Sequence, residues 1–179
     1  STAARVSPQR GGAAAREIMP GVDERPNLYA RELQQDDDDP PGYRGAYLKI
    51  SQALGATETS LRLFELPPGE ALCPYHYEYV EEWLLLLSGE LDLRTPSGVE
   101  RLVAGAVACF PGGPDGAHKT TCPAQAAEPA RFVMFSSARE PSVGVYPDSD
   151  KIGVWVPGGV DNVMLHRADG QVPYYDGES

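Results

Sequence analysis

Short apolar segments separated by turn-forming residues make up most of the chain from residue 45 onward. Turns rich in glycine and proline fall at residues 67–69, 88–89, 96–98, 104–105 and 111–116. Turns at this frequency leave no room for ordinary helices between them. The pattern therefore predicts a mostly β domain.

Nine segments have the apolar content or the alternation that is typical of β-strands. They are residues 47–50, 61–66, 83–87, 91–95, 99–103, 107–110, 131–136, 143–146 and 151–156. Many short strands joined by Gly/Pro turns indicate a sandwich or a closed barrel. After Gly158 the pattern weakens into a polar tail.

One predicted strand, residues 83–87, is apolar at every position. Successive side chains point to opposite faces of a strand, so both faces of this one must be covered. One face would line a barrel interior, and the other would pack on a second sheet or on a second subunit. We therefore expect a homodimer.

The length of 179 residues and the 41% content of hydrophobic residues suit one domain with its own core. Residues 1–25 are rich in Ala, Gly and Arg, and they are interpreted as an N-terminal extension. A single domain is expected over residues 26–179. Its barrel would occupy residues 45–137, and further strands and a tail would occupy residues 138–179.

The charge of the chain excludes some classes of partner. Its 15 Lys and Arg against 26 Asp and Glu give a net charge of −11, whereas nucleic acids and anionic membranes need a basic footprint. A small-molecule ligand or substrate is expected instead.

The 3 cysteines form no C-x-x-C pair, which indicates a reducing cytoplasm rather than a disulfide framework. The longest apolar run is far too short to span a bilayer.

The chain has only 3 histidines, so a site built on histidine must use most of them. His76, Glu78 and Glu82 share one parity and would project to one face if the chain stays extended between them. Carboxylates inside a barrel need a compensating charge, and a divalent metal ion supplies it most simply. His118 follows a Gly/Pro-rich turn and could complete a four-ligand set. Such a set suits Zn, Mn, Fe or Ni.

At these residues the sequence resembles the cupin superfamily. The first cupin motif, roughly G-x5-H-x-H-x3,4-E-x6-G, is matched with one extra residue in its first gap by Gly69, His76, Glu78, Glu82 and Gly89. The second motif, roughly G-x5-P-x-G-x2-H, is matched with a longer last step by Gly105, Pro111, Gly113 and His118. Two motifs at this separation are far more specific than either alone. Segments around residues 76–84 and 145–149 are similar to a group of uncharacterised single-domain cupins.

The resemblance implies an all-β fold, the double-stranded β-helix of the cupin or jelly-roll barrel. It also implies a dimer and a metal ion held by three histidines and one glutamate. This chain has Glu78 where the family has its second histidine, so the implied ligands are His76, Glu78, Glu82 and His118. A second carboxylate brings the formal charge of a site with a divalent ion from +1 to 0, which weakens its Lewis acidity. Alternatively, the substitution marks a site that has lost tight metal binding.

Two functional hypotheses follow. The first is a metal-dependent enzyme, isomerase-like or dioxygenase-like, that acts on a small oxygen-bearing metabolite with Glu82 or Glu78 as general base. A sugar phosphate is disfavoured, because the barrel motifs offer few cations: Arg94, Arg101, Lys119 and Arg131. The second hypothesis is a non-catalytic module that binds or senses a small molecule, with a structural or lost metal.

Overall fold

Strands dominate the part of the chain that the structure, a computed structural model, describes: residues 25–29, 32–173 and 175–176. The strands are β1 Gln34–Gln35, β2 Ala46–Lys49, β3 Thr59–Leu66, β4 Tyr77–Glu78, β5 Glu82–Ser88, β6 Glu90–Thr95, β7 Gly98–Val103, β8 Val107–Phe110, β9 Lys119–Thr121, β10 Ala130–Ser137, β11 Ser142–Tyr146, β12 Lys151–Trp155 and β13 Val163–His166. Two one-turn helices are α1 Ile50–Ala53 and α2 Arg167–Gly170. The prediction of a mostly β fold is confirmed.

The strands form three sheets in which every described pairing is antiparallel. The largest has the order β1-β2-β3-β10-β5-β8, a second has the order β13-β12-β11-β4, and the third has the order β7-β6-β9. Neighbours such as β3 and β10 are far apart in sequence, so the chain crosses between sheets repeatedly. This winding is typical of a jelly roll.

The main core lies between the six-stranded and the three-stranded sheet. Leu84 and Leu86 of β5 and Phe132 of β10 pack in one cluster with Leu91 and Leu93 of β6. Each of these side chains comes from alternate positions of its strand, as one buried face of a sheet requires. The two sheets therefore face each other across this cluster.

Strand β5 is covered unequally on its two faces. Leu84 and Leu86 are 0% and 2% exposed, while Trp83 and Leu85 on the opposite face are 38% and 39% exposed. Among the described residues, a cluster around Leu63 covers part of the outer face of the six-stranded sheet. The dimer expected from this strand stays a prediction.

The two ends of the domain differ in how well the pattern predicted them. The polar tail expected after Gly158 contains strand β13, which pairs with β12. The short strands β1, β4 and β9 were also missed, because two or three residues are too few to show a period. The predicted extension over residues 1–25 lies outside the described residues except for Arg25. No helix among the described residues is long and apolar enough to cross a membrane.

Candidate metal centre

The two histidines of the cupin-like motifs lie directly opposite each other. His76 and His118 form an isolated antiparallel bridge, in which each backbone amide donates to the other's carbonyl, at 3.1 and 2.8 Å. Opposed residues of an antiparallel pair point to the same face. Their ring centroids are accordingly 4.8 Å apart.

Backbone carbonyls orient both imidazoles. The Nδ1 atom of His76 lies 3.1 Å from the carbonyl oxygen of Pro74, and that of His118 lies 2.9 Å from the carbonyl oxygen of Gly116. A carbonyl only accepts, so each Nδ1 carries the proton and donates it. Each Nε2 is then left with a free lone pair.

The tight turn before β9 requires glycine at position 116. A Cβ added to Gly116 would overlap the carbonyl oxygen of Pro111. The backbone packs this closely in the 3-10 turn Pro114–Gly116, which ends two residues before His118. The second-motif turn thus places both His118 and the carbonyl that orients its ring.

Glu82, the first residue of β5, completes the group. Its Oε2 lies 3.7 Å from Nε2 of His118 and 4.0 Å from Nε2 of His76. One ligand atom from each of the three residues falls within 4.8 Å of the others. The three side chains therefore present ligand atoms close enough together to hold one ion.

Burial shifts the pKa of each member of this trio. Loss of solvent lowers the pKa of His118 to about 4, and it also lowers the pKa of His76, against the opposing charge of Glu78. Burial, and then the charge of Glu78, raises the pKa of Glu82 to about 7, while Arg62 acts in the opposite direction. At neutral pH both imidazoles are uncharged, as metal ligation requires.

Glu78 lies outside the group of three. It belongs to β4, and its Oε2 accepts a hydrogen bond from Oγ of Ser142 at 3.1 Å. Its negative charge nevertheless raises the pKa of both Glu82 and His76. Its expected role as a fourth ligand stays a prediction.

Aromatic rings and a thiol surround the imidazoles. Phe110 of β8 stacks on His118 with centroids 3.7 Å apart, and Tyr146 stacks on His76 at 5.8 Å. Sγ of Cys73 lies 3.4 Å from Nδ1 of His76. Burial raises the pKa of this thiol to about 12, so Cys73 is a neutral packing residue and not a nucleophile.

The residues present fit a divalent ion. Nε2 of His118 is buried and has no hydrogen-bond partner among the described residues. A buried acceptor without a partner costs about 1–3 kcal/mol, which ligation of an ion would offset. Two neutral imidazoles and one carboxylate are the usual donors for Zn, Mn, Fe or Ni. The third histidine, His166, pairs with Lys151 at the far edge of another sheet and is not part of the group.

A groove of about 280 Å³ contains two cations that the sequence pattern did not indicate as binding residues. Both Lys49 of β2 and Arg62 of β3 line it. The alternation of β3 could have indicated that Arg62 faces inward. Arg62 is two and four positions from Phe64 and Leu66, which pack in or against the main core.

Solved structures with the same architecture identify the fold. A sugar phosphate isomerase of the cupin superfamily from Silicibacter pomeroyi superposes with a TM-score of 0.66 at 23% identity, covering 84% of this chain and 98% of that one. A protein described as a sugar phosphate isomerase from Acidithiobacillus ferrooxidans gives 0.66 at 22% identity, covering 74% and 83%. A cupin-like protein from Thermotoga maritima gives 0.51 at 12% identity, covering 64% and 86%. The chain has the cupin fold.

The assignment confirms the fold that the two sequence motifs implied. No protein-family model matches this sequence, and no curated protein is similar to it. The cupin motifs nevertheless place His76, Glu82 and His118 together as the resemblance implied. Glu78 is the position at which this chain departs from the cupin motif that it resembles.

Proposed function

We propose that this cupin is a metal-dependent enzyme that acts on a small oxygen-bearing metabolite. One observation carries the proposal: ligand atoms of His76, His118 and Glu82 lie within 4.8 Å of one another, with Oε2 of Glu82 3.7 and 4.0 Å from the two Nε2 atoms. These three residues would hold a divalent ion. The formal charge of the loaded group is then 2 − 1 = +1, as in a site with a single carboxylate.

A divalent ion supplies Lewis acidity, which polarises a carbonyl or hydroxyl oxygen of a substrate. The chain supplies the rest of the chemistry. Glu78 is not among the three ligands, so its carboxylate remains free to accept a proton from a substrate carbon or hydroxyl. The hydroxyl of Ser142 orients that carboxylate, and the rings of Phe110 and Tyr146 keep water from the histidines.

Isomerisation is the first reaction class to test. It needs a polarised carbonyl and one carboxylate that moves a proton between neighbouring atoms, and Glu78 beside the trio offers that carboxylate. Two proteins that share the fold are described as sugar phosphate isomerases. Their reaction supports the choice of substrates for the first assay.

The test is an aldose–ketose isomerisation assay on a panel of sugars, sugar phosphates and sugar acids. We expect turnover by the protein loaded with Zn, Mn, Fe or Ni, loss of turnover with a chelator, and recovery when the metal is returned. His118→Ala should abolish turnover, and the matched control His166→Ala should retain it. Turnover that survives both chelation and His118→Ala would contradict a metal-dependent reaction.

A second candidate is a binding module that works without the ion. The observation that favours it is the pKa of Glu82, raised by burial to about 7, which lets the trio exist in an uncharged form. Thermal unfolding with the same panel separates the two functions. If Glu82→Gln and His76→Ala abolish metal binding but retain stabilisation by a ligand, and the metal-loaded wild type turns over no member of the panel, the binding module is correct and the enzyme is not.

A further inference from the structure

Five side chains form a row across the inner face of the six-stranded sheet. In register from β2 to β8, the row consists of Lys49, Arg62, Met134, Leu84 and Ala108. Residues directly opposite each other on antiparallel strands share a face. Because Leu84 and Met134 pack in the main core, Lys49 and Arg62 lie on the barrel side of the sheet.

This row lies next to the metal centre. Glu82 is two positions from Leu84 on β5, so it projects to the same face. Arg62 is close enough for its positive charge to lower the pKa of the Glu82 carboxyl. No member of the trio lines the groove, and Arg62 is the lining residue whose charge reaches Glu82.

The two groove cations differ from the three arginines of the barrel motifs, each of which pairs with a carboxylate. Arg94 pairs with Asp148 at 2.5 Å, Arg101 with Asp92 at 2.6 Å, and Arg131 with Glu65 at 2.7 Å. Across the described ranges, neither Lys49 nor Arg62 has an ion-pair partner. Lys49 lies 5.3 Å from the centroid of the Tyr47 ring, which does not neutralise it.

The remaining lining is suited to hydroxyl groups. Asp36 and Asp39 line the groove together with Tyr43 and Tyr47, and the phenol of Tyr47 donates to Asp36 at 2.9 Å. Carboxylates accept hydrogen bonds and phenols both donate and accept them. A ligand with an anionic group alone would face two carboxylates, whereas a polyhydroxylated anion has partners for both kinds of side chain.

We propose that Arg62 and Lys49 bind the anionic group of a polyhydroxylated substrate whose reacting oxygen lies at the His76, Glu82 and His118 centre. The inference rests on the proposed function, and it names the substrate class as sugar phosphates or sugar acids. A guanidinium matches the planar oxygens of phosphate and carboxylate alike, and the lysine adds a point charge. The expectation against sugar phosphates rests on Arg94, Arg101, Lys119 and Arg131, which lie in ion pairs or outside the groove lining. Lys49 and Arg62 supply the cations that those four do not.

The test is calorimetric titration of the metal-loaded protein with three probes that cannot isomerise: ribitol, ribitol 5-phosphate and ribonate. We expect one of the two anions to bind at least about tenfold more tightly than ribitol, since hydrogen bonds to charged groups contribute about 1.5–3 kcal/mol. A preference for ribitol 5-phosphate assigns a phosphate to the substrate, and a preference for ribonate assigns a carboxylate.

Matched variants test whether Arg62 and Lys49 cause the preference for the anion. Arg62→Gln should lower the affinity for the preferred anion roughly tenfold and leave that for ribitol unchanged, and Lys49→Gln should act in the same direction. Arg139→Gln removes the same charge from an exposed residue outside the groove lining, and it should bind like the wild type. Equal binding of all three probes, or an unchanged anion affinity in Arg62→Gln, would overturn the proposal.

Metal content measured on the same samples separates this inference from the proposed function. A chain without metal that still binds the anion through Arg62 would contradict the enzyme and leave the anion site supported. A chain that holds metal but shows no preference for an anion would contradict the anion site and leave the metal-dependent enzyme supported.

Discussion

Glu82 is the residue at which protonation and metal binding compete. Its pKa is raised to about 7 by burial and by Glu78, while that of His118 is lowered to about 4. An ion needs the carboxylate form of Glu82 and the neutral form of His118. Between these two values, Glu82 has to release a proton when an ion binds and His118 does not.

Metal affinity should therefore depend on pH with a definite sign. The apparent association constant is expected to rise about tenfold per pH unit from pH 5.5 toward 7 and to level off above the pKa of Glu82. Titration calorimetry with Zn at several pH values measures this slope. A flat profile below pH 7 would show that Glu82 is ionised without the metal or does not bind it.

Glu78→Gln tests whether that carboxylate is a ligand. If Glu78 acts only through its charge, removing it lowers the pKa of Glu82, and the pH at which metal affinity levels off moves down. If Glu78 is a ligand, the affinity instead falls by orders of magnitude at every pH. Ser142→Ala, which removes the hydrogen bond to Glu78 and keeps its charge, is the control.

Among the structural elements, the turn between β8 and β9 sets the position of His118. Gly116→Ala would force a Cβ against the carbonyl of Pro111. We expect a loss of about 1–3 kcal/mol in the free energy of unfolding, measured with urea, together with weaker metal binding. Gly170→Ala in α2 places its Cβ at ordinary contact distance from Leu165 and should change neither quantity. Equal stability of the two variants would show that the turn adjusts at no cost.

The sequence predicted those elements that have a clear period. The alternation in β6 and the Gly/Pro turns on either side of it were enough to place that strand. The two-residue strand β4 has no period, and its pairing with β11 depends on contacts between distant parts of the chain. The same holds for the candidate metal centre: motif spacing predicted His76, Glu78, Glu82 and His118, of which the structure groups all but Glu78. The groove cations Lys49 and Arg62 meet only through the register of β2 on β3.

For the molecule as a whole, we propose that two copies pair through the outer face of the six-stranded sheet. Trp83 and Leu85 of β5 adjoin Val107 of β8 and Phe135 of β10 in the sheet, and all four are exposed in the single chain. A patch of adjacent apolar residues on a monomer marks an interaction surface. The expected homodimer would bury it.

Sedimentation at micromolar concentration tests this pairing. The wild type should be a dimer, and Leu85→Lys should be a monomer, because the substitution places a charge in the buried interface. Val160→Lys adds the same charge to an exposed valine in another part of the fold and should remain a dimer. A wild-type monomer would contradict the pairing.

The metal content of the purified protein decides whether His76, Glu82 and His118 hold an ion. After loading with a divalent ion and removal of the excess, elemental analysis should find about one ion per chain in the wild type and in His166→Ala. The same analysis should find less than about a tenth of an ion per chain in His118→Ala, since the remaining donors no longer converge. An empty wild-type protein, or a His118→Ala variant that retains its ion, would contradict the claim that His76, Glu82 and His118 form a metal centre.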